Sequence, residues 1–353
     1  MKGRPVKRVY LDWNATTPLR PEARAAMLAA MDVAGNPSSV HAEGRAARGL
    51  VERARGQILR ALGAEGADLV FTASATEAAA LALAGQGIAC SGLEHDAVAA
   101  WCEVALAADR RGQVTVPEPG RAALQAANSE SGIMQALPEG LHLTDATQAF
   151  GKVPFGFNWS GAKMAIVSAH KLGGPKGVGA LVMRRGTDLA ARVVGGGQEM
   201  GRRAGTENVI GIAGFGAAAE AAARDLEGDI WPRVAKLRDI LENGIAESAK
   251  ETIFVGNEAR RLPNTSYFIT PGWKGETQVM VMDLAGFAVS AGSACSSGKV
   301  RASGVLRAMG FGEAEAASAL RVSLGPATTE EEVRAFVSAW TCEWEKWRRR
   351  QRG

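Results

Sequence analysis

Residues 164–186 read MAIVSAHKLGGPKGVGALVMRRG. The apolar run from Met164 has the composition of a buried strand and stops at Ser168. His170 and Lys171 follow at once, then a glycine- and proline-rich turn, then a second apolar run at GALVMRR. Strand, polar residues, turn, strand is how a sheet presents chemistry at its edge. In open parallel sheets ligands bind beyond the carboxyl ends of the strands, which is where Lys171 falls. A strand-end lysine packed near glycines is poorly placed for a casual surface charge. Desolvation or nearby cations would lower its pKa and let it form a Schiff base. By itself the stretch also allows an ordinary loop lysine, with Lys176 beside it.

Working outward, short β-like runs alternate with alanine-rich helical stretches. PEARAAMLAAM and AEGRAARGLVERARGQILRALG predict helices, since Ala, Leu and Arg favour them and apolar positions recur three and four apart. DLVFT predicts a strand, TEAAALALAG a helix and DAVAAWCEVALAADRRG another helix. QVTVP and LHLTD predict strands, and a long helical stretch is expected from about 207 to 248. TSYFIT, ETQVMVMDLAG, ALRVSLG and a final helix from about Thr329 complete the chain. Strands alternating with helices imply an α/β fold with a mainly parallel sheet flanked by helices. The pattern changes near Gly256, so a large domain is expected over 15–255. A smaller α+β C-terminal domain is expected over 256–353, joined by residues 1–14.

The chain has 353 residues, 46% apolar and 22% charged, the balance of a globular protein with room for a large and a smaller domain. Cys90, Cys102, Cys295 and Cys342 have no C-x-x-C spacing and do not pair with the histidines at zinc-site spacing, so no metal site is expected. A reduced, cytoplasmic protein is the simplest reading. No secretory h-region and no membrane-spanning apolar run is found. The net charge of +4 gathers in the C-terminal WEKWRRRQRG, read as a solvated helix end rather than a nucleic-acid site.

Chemistry-bearing residues sit at the other strand ends. Ser74 and Glu77 have capping-box spacing, and Thr76 adds a hydroxyl where a helix N-terminus could hold an anion; an ordinary capped helix explains the stretch equally. Asp145 ends a strand with Gln148 three residues on; it could cap a helix or hold a protonated ring nitrogen. An anion site, such an acid and Ser-x-His-Lys are together what pyridoxal 5'-phosphate requires. SAGSACSSG, residues 290–298, places Cys295 among small residues, an odd setting for a packing cysteine.

YLDWNATTP, GNPSSVHAEGRAAR, SATEAAALAL, LEHDAV, DATQAFGKVP, SAHKLGGPKGVGAL, GGGQEMGRRAGTENV, SAGSACSSG and LRVSLG resemble the cysteine desulfurases, class V enzymes of pyridoxal-phosphate fold-type I. The motifs keep the family's order over almost the whole chain. The resemblance implies that Lys171 carries the cofactor and moves the substrate's Cα proton. Asp145 would pair with the ring nitrogen, His95 stack on the ring, and Gln148 bond near its hydroxyl with help from Asn128. Thr76, Ser168 and His170 would bind the phosphate, and Thr206 the phosphate of a neighbouring subunit in a homodimer. Arg321 and Asn36 would hold the substrate carboxylate. Cys295 would take sulfur from L-cysteine as a persulfide, leaving L-alanine, and pass it to a protein acceptor such as an iron–sulfur scaffold. The other three cysteines are expected to be structural.

The chain departs from the family between Gly112 and Leu141, where helical elements are missing, and at Ser129, where a second asparagine is usual. After Cys295 a common Pro-Ser-His run is replaced by Ala302-Ser303-Gly304. Alternative readings are a selenocysteine lyase, a class V transaminase, which has no use for Cys295, and a non-catalytic sulfur-assembly scaffold.

Overall fold

The computed structural model describes residues 8–292 and 302–352; Cys295 lies outside them. Strand β1 (Val9–Tyr10) precedes helices α1 (Pro21–Met31) and α2 (Ala42–Ala61). Proline suits the first turn of α1, where its missing N–H is no loss. Strand β2 (Asp68–Thr72) runs into α3 (Ala75–Leu83), then β3 (Ala89–Ser91), the short α4 (Asp96–Ala99) and β4 (Glu103–Leu106). Strands β5 (Ala123–Gln125), β6 (Leu143–Asp145), β7 (Met164–Ser168) and β8 (Gly179–Met183) follow. Next come α5 (Val209–Glu227), α6 (Ile230–Ser248), β9 (Ile253–Phe254), β10 (Thr265–Ile269), α7 (Gly275–Leu284) and β11 (Phe287–Ala288). The short helices α8 (Gly304–Ala308) and α9 (Glu313–Ala316), strand β12 (Ala319–Ser323) and α10 (Glu330–Arg352) end the chain.

The main sheet has the order β2-β8-β7-β6-β5. β5, β6 and β7 are mutually parallel, while β8 runs antiparallel to both β7 and β2. Only β8 is therefore reversed, and the sheet is mainly parallel as expected. Alternate residues divide the core. Leu69, Phe71, Ala165, Val167, Ala180 and Val182 face α2 and α5, whereas Val70, Ile166, Leu181 and Met183 face α3. With both faces covered, the strands read as unbroken apolar runs.

A second core gathers around the antiparallel sheet β12-β10-β9. Trp340 and Phe336 of α10 pack there with Phe268, Leu320 and Trp273. Leu11 joins them, and β1 pairs parallel with β11. Helix α6 also gives Val234, Leu237 and Leu241 to this core.

Three local expectations are corrected. DAVAAWCEVALAADRRG is not one helix: α4 stops at Ala99, Cys102 sits in a bend, and β4 pairs parallel with β3. Sheet pairing, begun by Glu103 N–H donating to Ile88 O at 2.9 Å, overrides helix propensity there. QVTVP is not a strand but a single bridge from Val114 to Ala108, because the Val114 N–H donates to Gln135 Oε1 at 3.1 Å instead of to a neighbouring strand. The helix expected over 207–248 breaks at Gly228 into α5 and α6, and Pro232 falls in the first turn of the second, where helices tolerate it. No α-helix lies between Gly112 and Leu141, matching the shortening read there. No helix among the described residues is long and apolar enough to cross a membrane.

Candidate active site

The sheet register brings the strand ends together. Gly179 opens β8 opposite both Thr72 of β2 and Ser168 of β7, so Ser74, Ser168 and the turn carrying Lys171 share one edge. The close approach depends on glycine: a Cβ at 179 would lie 2.5 Å from the Ser74 carbonyl carbon. Ser74 caps α3 by accepting from Glu77 N–H, while Glu77 reaches Ala73 N–H at 2.7 Å and Arg203 at 2.8 Å. The Ser74 half of the capping box forms, and the dipole of α3 points its positive end at this edge. Thr76 is exposed in its first turn.

Lys171 Nζ donates to the carbonyls of Asn14 (2.7 Å) and Ala15 (2.9 Å). No carboxylate pairs with it among the described residues. Its pKa is drawn down to about 8, by burial first and by the Arg321 guanidinium second, with Asp145 and Asp12 acting the other way. His170 beside it is pushed down to about 4 by burial and by Lys171, Lys176 and Lys152; its Nδ1 lies 3.2 Å from Thr16 Oγ1. Both side chains therefore resist carrying charge.

Asp145 is half-buried at the end of β6; its Oδ1 accepts from Thr147 N–H at 2.8 Å, leaving the other oxygen without a partner among the described residues. Gln148 is buried, with Nε2 donating to Asn14 O at 3.0 Å. His95 caps α4, Nδ1 accepting from Ala97 N–H at 3.1 Å, so Nε2 and the ring face stay open. Two buried amides hold its loop: Gln125 Nε2 and Asn128 Nδ2 each donate to Leu93 O at 3.0 Å. Asn128 Oδ1 is taken by Glu130 N–H and by Ser131, so Asn128 is built into the turn.

Arg321, on β12, is 7% exposed and donates to Asp12 Oδ1 (2.7 Å) and Ser129 O (3.0 Å), while its Nε is buried without a partner. Asn36 and Thr206 are exposed and form no hydrogen bond with these residues; Asn36 Oδ1 caps a turn at Ser38 N–H. Asp12, Asn14 and Lys152 are site residues the sequence reading passed over. Asn14 alone joins Lys171, Lys152, Gln148, Asn264 and Thr265. Its letter in DWNATTP carries no signal of this, because every partner is distant in sequence.

The set suits pyridoxal phosphate. It offers an amine held near neutrality, a carboxylate with one oxygen free for a ring nitrogen, and a helix N-terminus that the missing Cβ of Gly179 brings to the same edge.

Comparison with known proteins agrees. The aminotransferase class-V family model matches residues 9–122 and 117–336. A cysteine desulfurase of Cereibacter sphaeroides is 39% identical over 93% of this chain and 93% of its own. The structure of a NifS-like protein from Rickettsia africae superposes with TM-score 0.87 at 31% identity, covering 96% of this chain and 99% of that one. A structure of SspA in complex with cysteine superposes at TM-score 0.76 and 26% identity over 91% of this chain and 99% of its own. With the family model over most of the chain, a curated relative at 39% identity and a matching fold, the chain belongs to the class-V aminotransferases and, among them, to the cysteine desulfurases.

Proposed function

We propose that this cysteine desulfurase moves sulfur from L-cysteine to Cys295, with pyridoxal 5'-phosphate held on Lys171. The observation that carries the reading is the Lys171 amine, half-buried and held between two carbonyls, with a pKa of about 8 and set beside Asp145 and Arg321. Pyridoxal phosphate, when bound, supplies an electron sink for the bonds at the substrate's Cα. Lys171 would hold it covalently, and its amine would take the Cα proton of the substrate. Asp145 would accept from the ring nitrogen with its free oxygen, and His95, its ring face open, would pack against the ring. Ser168, His170, Thr76 and the N-terminus of α3 hold the phosphate. Thr206 serves the phosphate of a second subunit, which makes the enzyme a homodimer with shared sites. Arg321, with three N–H bonds to spare beyond Asp12 and Ser129 O, grips the substrate carboxylate with Asn36. Asn128 contributes by fixing the loop of His95.

The Cys295 thiolate attacks the substrate sulfur. An S–S bond forms, the Cβ–S bond breaks, and the electron pair left on carbon takes a proton to give the methyl of L-alanine. The persulfide then passes to a protein acceptor such as an iron–sulfur scaffold. The test is the purified enzyme with pyridoxal phosphate, L-cysteine and dithiothreitol. L-Alanine and sulfide are expected in equal amounts, with no sulfide from Cys295→Ala. Equal turnover by that variant, or faster turnover of an amino-acid/keto-acid pair, rejects the reading.

A further inference from the structure

Lys152 is 3% exposed and pairs with no carboxylate among the described residues, an unusual position for a lysine. It follows Gly151, whose positive φ of 75° lets the chain turn against α5; a Cβ there would meet Ala222 Cβ at 2.7 Å. Its Nζ lies 2.5 Å from Gln148 Oε1 and 3.2 Å from Asn14 Oδ1. These two acceptors match the two N–H bonds of an uncharged amine. A third hydrogen would add a charge beside Lys171 and Arg321, and burial with those two cations draws the Lys152 pKa well down.

The consequence lies in the two amides. An amide presents an oxygen at one end and a donor at the other. Asn14 O can only accept, so the Gln148 atom facing it, 3.0 Å away, must be Nε2. Oε1 is then turned toward Lys152, which satisfies it. The Asn14 side chain is held in the same way: Nδ2 donates to Ser129 O and Thr265 Oγ1, and Oδ1 receives Lys152 and Asn264. One N–H of Gln148 Nε2 is used on Asn14 O, and the second is left over.

We propose that Lys152 is a positioning residue: by donating to Gln148 Oε1 and Asn14 Oδ1 it fixes both amides, and so makes Gln148 present an N–H to the ring oxygen of the cofactor on Lys171. This rests on the assignment of Lys171 and pyridoxal phosphate above. Without Lys152, Oε1 would be buried with no donor, and only the bond to Asn14 O would be left to hold the amide in place.

The test is a double-mutant cycle on the holoenzyme, read as the dissociation constant of pyridoxal phosphate from its visible absorbance and not as turnover. Lys152→Met should weaken binding about tenfold, the usual scale for a buried polar group left unpaired. The same substitution made in Gln148→Ala should weaken it less than about twofold, since Lys152 then has no amide oxygen to hold. Urea midpoints establish that each variant folds. Lys152→Gln replaces the methionine variant if that one does not fold, with the same non-additivity expected. An equal loss in both backgrounds, or no loss in the first, overturns the proposal. Failure of the underlying reading looks different: the unaltered enzyme would bind no pyridoxal phosphate, or borohydride would trap it in Lys171→Ala.

Discussion

At the scale of the residue, the site is governed by what burial does to cations. Lys171 has a folded-state pKa of about 8 against an ordinary 10.5. A lowered lysine loses its proton early, so the burial penalty stands below about pH 8 and is relieved between 8 and 10.5. Capture of the pyridoxal-phosphate aldehyde by the cofactor-free enzyme needs the free amine. Its rate should therefore rise with pH and level off above a midpoint near 8, followed by stopped-flow absorbance; a midpoint near 10.5 would contradict the environment described. Arg321 is read through substrate affinity. Arg321→Lys keeps the charge but loses the planar fork, and should raise KM for L-cysteine about tenfold or more while kcat falls less. An unchanged KM would remove Arg321 from carboxylate binding.

At the scale of the element, caps and turns set the edges on which the site stands. Ser74 gives α3 its first-turn acceptor, so Ser74→Ala should cost about 1 kcal/mol in urea unfolding. The turn at Glu199 and Met200 holds two consecutive non-glycine residues at φ 49° and 58°, a strained arrangement. Glu199 secures it with two bonds to Arg55, at 2.8 and 3.0 Å, and a third from Phe71 N–H at 2.9 Å. Glu199→Ala takes the buried carboxylate from Arg55, leaving it the more exposed Glu52, and leaves the Phe71 N–H without its acceptor; it should cost about 3 kcal/mol, measured by denaturant midpoint. The helices α1, α2, α3 and α10 were legible because each carries its own propensity and period. The stretch over 96–112 was not, because Ala, Trp, Cys, Glu and Val there suit either state and pairing with β3 decided between them.

At the scale of the molecule, two cores meet around one site. The main sheet supplies Asp145, Ser168 and Lys171, and the C-terminal part supplies Arg321. Trp340 is wholly buried, edge-on to Phe268 and beside Trp273, with its indole N–H on Gln278 Oε1 at 3.0 Å. Trp340→Ala should cost about 3–5 kcal/mol and loosen β12, lowering affinity for L-cysteine through Arg321. The proposed dimer is tested at the segment leading to Thr206, where Val194 is 79% and Met200 64% exposed. Replacing both with glutamate should shift the sedimentation coefficient to that of a monomer and weaken pyridoxal-phosphate binding. A monomeric unaltered enzyme would refute the shared site.

Strand ends, helix periods and the small-residue setting of Cys295 were written locally. So were the chemistry of SAHK and the acid of LTDATQ, since a strand's last residue and its neighbours reach a sheet edge wherever the strand is placed. Only the tertiary structure chose Asn14 as the hub, turned Asp12 onto Arg321 and enclosed Lys152 with Gln148. Those contacts join neutral or buried polar groups across more than a hundred residues, apart from the Gln148–Lys152 pair. Periodicity reports which face of an element is apolar, and it is silent about which distant carbonyl a buried donor will meet. That choice belongs to the packed core, where each such group must find a partner once water has been excluded.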